Sequence, residues 1–215
     1  MSTLLDLKTI VATQLGADNA STSVSKRDKI INIARREYYS LRAWTFLRKS
    51  AAVTITAQVG SLPTDYNDKF EPLAVYTYSG TTKYAYQLVD WDDLPYYPTS
   101  EYAFAVDKFN NQIKINQTTV GAVTLDYTYL PADHPIDVTE DSVSEPAPDI
   151  TPIGLLAIAK WWLSSERATG KYQLFKDEYE KAVGQAVMID NRSKGLKAIN
   201  PQRVRLNTGY RGRAG

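Results

Sequence analysis

The chain has 215 residues, is 43% hydrophobic and 23% charged, and carries a formal charge of +1. That composition supports a buried core and excludes a disordered or strongly cationic class. There is no cysteine and a single histidine, His134, which removes disulfides, zinc sets and Cys–His or Ser–His nucleophile pairs.

Thr3 to Leu15 reads as a short helix. Thr3 caps it, Asp6 suits the positive N-terminal dipole, and Leu4, Leu7, Val11 and Leu15 repeat at helical spacing. Gly16 is its stop, and Ala17–Val24 is a polar loop. Ser25 then caps a longer helix with Asp28 at the capping-box position. Ile30, Ala34, Tyr38, Leu41, Trp44 and Leu47 form its apolar stripe, and a basic surface runs from Lys26 to Lys49. Arg35, Arg42 and Lys49 are the candidates on that surface for facing DNA or a neighbouring subunit.

From Ala51 the period changes to two. Val53, Ile55, Ala57 and Val59 alternate with polar residues as one half-buried strand. Leu73–Tyr78 and Tyr84–Leu88 flank a Ser79-Gly80 turn, and Phe104–Lys108 and Gln112–Asn116 flank Asn110-Asn111. Val123 to Tyr129 alternates again. Residues 51–130 are therefore expected to be an antiparallel β region of five or six strands.

Residues 131–149 are an acidic loop, with Asp133, Asp137, Glu140, Asp141, Glu145 and Asp149 and no Lys or Arg. Thr151-Pro152 opens a helix over 153–167 that is apolar on most sides, as a helix buried in a bundle or assembly would be. Gly170 ends it, and Lys171–Asn191 forms a second helix. The apolar stretch at Ile153–Leu163 is too short to span a bilayer, and the first residues lack a secretory pattern, so a soluble protein with no membrane partner is expected. The expected fold is α+β: a helical bundle built from both chain ends (1–50 and 150–191), an inserted antiparallel β region and an extended C-terminal arm.

That arm, 192–215, carries Arg192, Lys194, Lys197, Arg203, Arg205, Arg211 and Arg213, one aromatic, Tyr210, and no acid. It holds little core material, so it is expected to stay extended until a partner orders it. The chain offers little to catalysis. Asp90-Trp91-Asp92-Asp93 lacks the opposed carboxylates that glycoside hydrolysis needs. The acidic loop lacks a calcium-loop pattern, and Ala168–Tyr172 fails as a phosphate loop. No enzyme, cofactor or metal reading emerges.

The residues from Ile30 to Tyr66 carry a resemblance. Ile30, Ala34-Arg35-Arg36-Glu37-Tyr38 and Leu41 are followed by Trp44-x-Phe46-Leu47-Arg48-Lys49, a strand, and then Leu62-Pro63-x-Asp65-Tyr66. A late helix pair opens at Asp149-Ile150-Thr151-Pro152. This pattern resembles the head-to-tail adaptor (connector or ring) proteins of tailed bacteriophages. The resemblance implies a virion structural protein of the neck, assembled in the host cytoplasm. It implies a ring of twelve copies docked on the portal protein, a channel for genomic DNA and a lower rim that receives tail or nozzle proteins. It also implies that the C-terminal arm runs along the portal. The competing reading is a nucleic-acid-binding accessory factor that uses the basic tail and basic helix.

Overall fold

The computed structural model describes residues 3–15, 21–135, 143–163 and 169–193. Two compact units divide the chain: Met1–Arg35 with His134–Gly215, and Arg36–Asp133.

The first unit is helical. α1 (Leu4–Leu15) begins at a reciprocal cap, in which Thr3 Oγ1 accepts from the Asp6 N–H at 3.2 Å and the Asp6 carboxylate accepts from the Thr3 N–H at 2.8 Å. Those donors hold the Asp6 carboxyl below its ordinary range. α1 buries Leu7 and Val11, α2 (Ser21–Tyr39) buries Ile31 and Ala34, and α3 (Thr151–Leu163) buries Ile153, Ala157 and Ile158. Asp149 Oδ1 accepts the Thr151 N–H at 2.9 Å and so starts α3. Gly154 lets α3 approach α1 closely, since a Cβ there would lie 2.8 Å from Ile10 Cγ2. α4 (Thr169–Ser193) packs along α3 and buries Tyr179 and Val183. Gly170 falls in the first turn of α4 rather than in a separating link.

The second unit holds a seven-stranded sheet in the order β1-β7-β3-β4-β5-β6-β2. The strands are β1 (Arg48–Thr54), β2 (Val59–Ser61), β3 (Ala74–Ser79), β4 (Thr82–Leu88), β5 (Ala103–Asp107), β6 (Gln112–Ile115) and β7 (Ala122–Thr128). The two end strands meet through a Thr56–Val59 bridge, so the sheet curls into a nearly closed barrel. Its inward side chains form one core: Val53, Ile55, Leu62, Val75, Tyr86, Phe104, Ile113, Ile115, Val123, Leu125 and Tyr127. Burial pushes the Tyr86 phenol up to about 12. At the entrance to β1, Trp44 stacks between Tyr38 and Phe46, with ring centroids 4.9 and 5.5 Å away, and its indole N–H donates to the Tyr38 carbonyl at 3.1 Å.

This architecture overturns the expected helical bundle with an inserted antiparallel β region. The sheet is mixed: β4 and β5 run parallel, with Gln87 opposite Ala103 and Leu88 opposite Phe104. Alternation identifies strands but not their direction. Here the long connection Val89–Tyr102 carries the chain back to the end from which β4 set out, so β5 repeats its direction. The expected single strand over 53–59 also divides. Ala57 and Gln58 take φ of 50° and 69°, forming a tight turn between β1 and β2. α2 starts before Ser25 and ends at Tyr39 rather than running to Lys49. Trp44 keeps the helical spacing because it stacks on Tyr38, and Leu47 is buried in a short turn of its own; neither shares the helix of Tyr38.

Candidate interaction surfaces

The three candidates of the basic helix separate. Arg35 is only 2% exposed, and its Nε lies 2.8 Å from Glu145 Oε1. The same carboxylate oxygen contacts His134 Nε2. Asn32 grips the His134 backbone on both sides, accepting from its N–H at 3.0 Å and donating to its carbonyl at 2.8 Å. Arg35 is therefore an internal partner of a buried acid and does not face DNA or a neighbour. Arg42 lies beyond α2, half-buried, with its guanidinium carbon 5.2 Å from the Trp44 ring centroid. Lys49 lies on β1, not on a helix; its ammonium is 2.6 Å from Asp65 Oδ2 and 4.6 Å from the Tyr129 ring centroid. These residues share no helix face. Of the candidate arm, Arg192 is exposed in the last turn of α4. Lys194, Lys197, Arg203, Arg205, Tyr210, Arg211 and Arg213 lie outside the described residues.

The Leu62-Pro63-x-Asp65-Tyr66 segment is a clamp. Leu62 is buried, and Asp65 receives Lys49, the Tyr127 hydroxyl at 2.7 Å and, on its carbonyl, the Leu130 N–H at 2.8 Å. Tyr66 bridges Tyr129 and donates its hydroxyl to the Phe70 carbonyl at 2.7 Å. Burial works against the Asp65 charge, but Lys49 and the Tyr127 hydroxyl outweigh it, so the carboxyl sits below its ordinary value. Burial, then the hydrogen bond to Asp65, raises the Tyr127 phenol. The motif residues thus fasten barrel strands to one another.

The second unit also carries a cleft and, beside it, a knob. The cleft has a volume of about 370 Å³ and is lined by Glu71, Leu88, Val89, Asp90, Trp91, Val106 and Lys108. It opens where the parallel strands β4 and β5 both end. Trp91 is seated there because a short turn, Leu94–Tyr96, packs on Ala103 and Ala105, with Val89, Trp91 and Tyr97 around it. Lys108 Nζ is 2.6 Å from Glu71 Oε1.

The knob is the β5–β6 turn, held from several sides. The Asp107 carboxylate accepts from the Phe109 N–H at 3.0 Å, the Asn110 N–H at 3.0 Å and the Asn110 side-chain amide at 2.6 Å. These donors, Asn110 foremost, keep the Asp107 carboxyl below its ordinary range. Asn111 adopts φ of 54°, and its carbonyl accepts the Leu62 N–H at 3.0 Å. On this fixed turn Phe109 is 96% exposed. The Asn pair marks the turn in the sequence, and Asp107-x-x-Asn110 is a legible brace, but neither indicates that the phenylalanine between them points outward.

The cleft and knob bring together apolar, aromatic and charged groups suited to holding a side chain. Among the described residues, no helix is long and apolar enough to cross a membrane. No family model matches the sequence, and no curated protein matches it.

Proposed function

We propose that this chain is a virion structural protein, a head-to-tail adaptor whose copies form a ring on the portal and link the capsid to the tail around the DNA channel. The observation that carries the reading lies in the helical unit. Leu5 on α1, Ile33 on α2, Leu163 on α3 and Leu174 and Ile189 on α4 all stand open to solvent. The unit has a core of its own, so these side chains are surplus to it. Apolar residues presented from every helix suit the side-to-side contacts by which a subunit closes a ring. The Ile30–Tyr66 resemblance supplies the kind of assembly, and the acid-free segment from Arg192 supplies a cationic contact for acidic groups on a portal.

The test is to mix the purified chain with candidate portal assemblies and examine the product by size exclusion and electron microscopy. A ring co-eluting with the portal is expected. A chain that stays apart from every portal tried, and forms no ring, overturns the proposal. Leu174→Asp and Ile189→Asp, each folding normally by circular dichroism, are expected to abolish ring closure.

A further inference from the structure

We infer that the cleft and the Phe109 knob are a self-complementary pair, through which two copies of this chain bind reciprocally about a two-fold axis. The argument starts from their positions. Lys108 lines the cleft, and Phe109 follows it in sequence but stands clear of the cleft in solvent. Knob and hole are thus neighbours on one surface. A head-to-tail contact that propagates around a ring needs its two halves on opposite flanks of the subunit. Two halves side by side are satisfied only when each copy gives its knob to the other and receives one in return. This inference therefore concerns a different contact from the ring-closing one, and it is independent of the adaptor reading.

The chemistry of the two halves agrees. The cleft offers Leu88, Val89, Trp91 and Val106 to an aromatic ring, and its Glu71 is already paired with Lys108 of the same chain. The knob offers one aromatic ring followed by two uncharged amides, Asn110 and Asn111, so no unpaired charge is carried into the cleft. Seating Phe109 against Trp91 withdraws from water a ring that each free copy leaves exposed, and the reciprocal arrangement does so for both copies at once. The turn is already fixed by Asp107, so little ordering entropy is lost on docking. The contact is small, and a weak, reversible dimer follows.

The pair can be separated experimentally. Sedimentation equilibrium of the full chain over a range of concentrations is expected to show a monomer–dimer equilibrium. Phe109→Ser removes the knob at a fully open position, and Leu88→Glu spoils the cleft at an exposed one; each is expected to weaken association by about tenfold or more. Mixing the two variants is the decisive measurement. The Leu88→Glu chain keeps a knob and the Phe109→Ser chain keeps a cleft, so the mixture regains one of the two contacts and associates more strongly than either variant alone. A native chain that is monomeric throughout overturns the inference. So does a Phe109→Ser chain that dimerises like the native one, or a mixture with no recovery. If Phe109→Ser abolishes portal attachment while self-association is unchanged, this inference fails and the adaptor reading stands.

Discussion

Gly60 and Gly184 show how differently one residue type is used. A Cβ at Gly60, in the middle of β2, would lie 2.6 Å from Val53 Cγ1 and 2.7 Å from the Thr54 carbonyl oxygen. Neither atom has room to retreat, because Val53 is core and Thr54 is paired to Ala122. Gly60→Ala is expected to destabilise the protein by about 2 kcal/mol in denaturant titration, the range for overpacked sites. At Gly184, on α4, a Cβ would meet nothing within 4 Å. Gly184→Ala is expected to raise stability by about 0.5–1 kcal/mol, the helix-propensity difference. Arg35 is a third case. It cannot be solvated where it lies, so Glu145→Leu leaves a buried guanidinium without the carboxylate it faces, and a loss of about 3 kcal/mol or more is expected. The residue type alone could not reveal this. Arg35 has the spacing of a surface cation, and only the fold returns Glu145 to its side.

At the scale of elements, the Asp65 clamp has a pH signature. Its carboxyl titrates below the ordinary value in the folded state. Its contribution is therefore complete above the ordinary carboxylate range and is lost as pH falls through the folded value. The Asp65 side chain is 30% exposed and that of its partner Lys49 51%, and screening keeps the effect small, about 1 kcal/mol. Asp65→Asn is expected to be less stable than the native chain near neutrality. The two stabilities should converge as pH falls through the ordinary carboxylate range and below it, as followed by denaturant titration at each pH.

The elements were legible in the sequence to different degrees. Strands β3 to β7 nearly coincide with the alternating runs, because a half-buried strand writes its period directly into the chain. The Asn110-Asn111 turn and Gly80 were readable as residues that tolerate positive φ. The Ala57-Gln58 turn was not, since neither residue favours that conformation. The parallel pairing of β4 with β5 depends on where Val89–Tyr102 delivers the chain, which no local pattern records. The spacing overstates the length of the basic helix because a compact aromatic cluster imitates its period.

For the molecule as a whole, the two units make separable demands. The helical unit has open aliphatics on each helix, and the barrel has a cleft and knob of its own. A chain cut after Gly195 keeps every described element and is expected to fold with unchanged circular dichroism while losing attachment to a portal. Normal attachment by that shortened chain would sink the proposed role of the cationic segment. The same chain bears on the nucleic-acid alternative. With Arg35 buried and Lys49 held by Asp65, the cations that the basic surface still exposes include Lys26, Lys29, Arg36 and Arg48. DNA retention that falls steeply with salt, and that survives removal of the segment, would have to be explained by other cations.

The grip of Asn32 on both backbone groups of His134, together with the Leu4 N–H donating to the Val143 carbonyl at 2.9 Å, has a practical corollary. The chain on either side of residues 136–142 is thus moored to α2 and to α1. Doubling the length of such a span adds only about 0.6 kcal/mol of closure entropy. A short epitope or a fluorescent-label sequence spliced in after Asp137 should therefore leave the melting temperature almost unmoved, giving a visible flag on each subunit for locating it inside a larger particle.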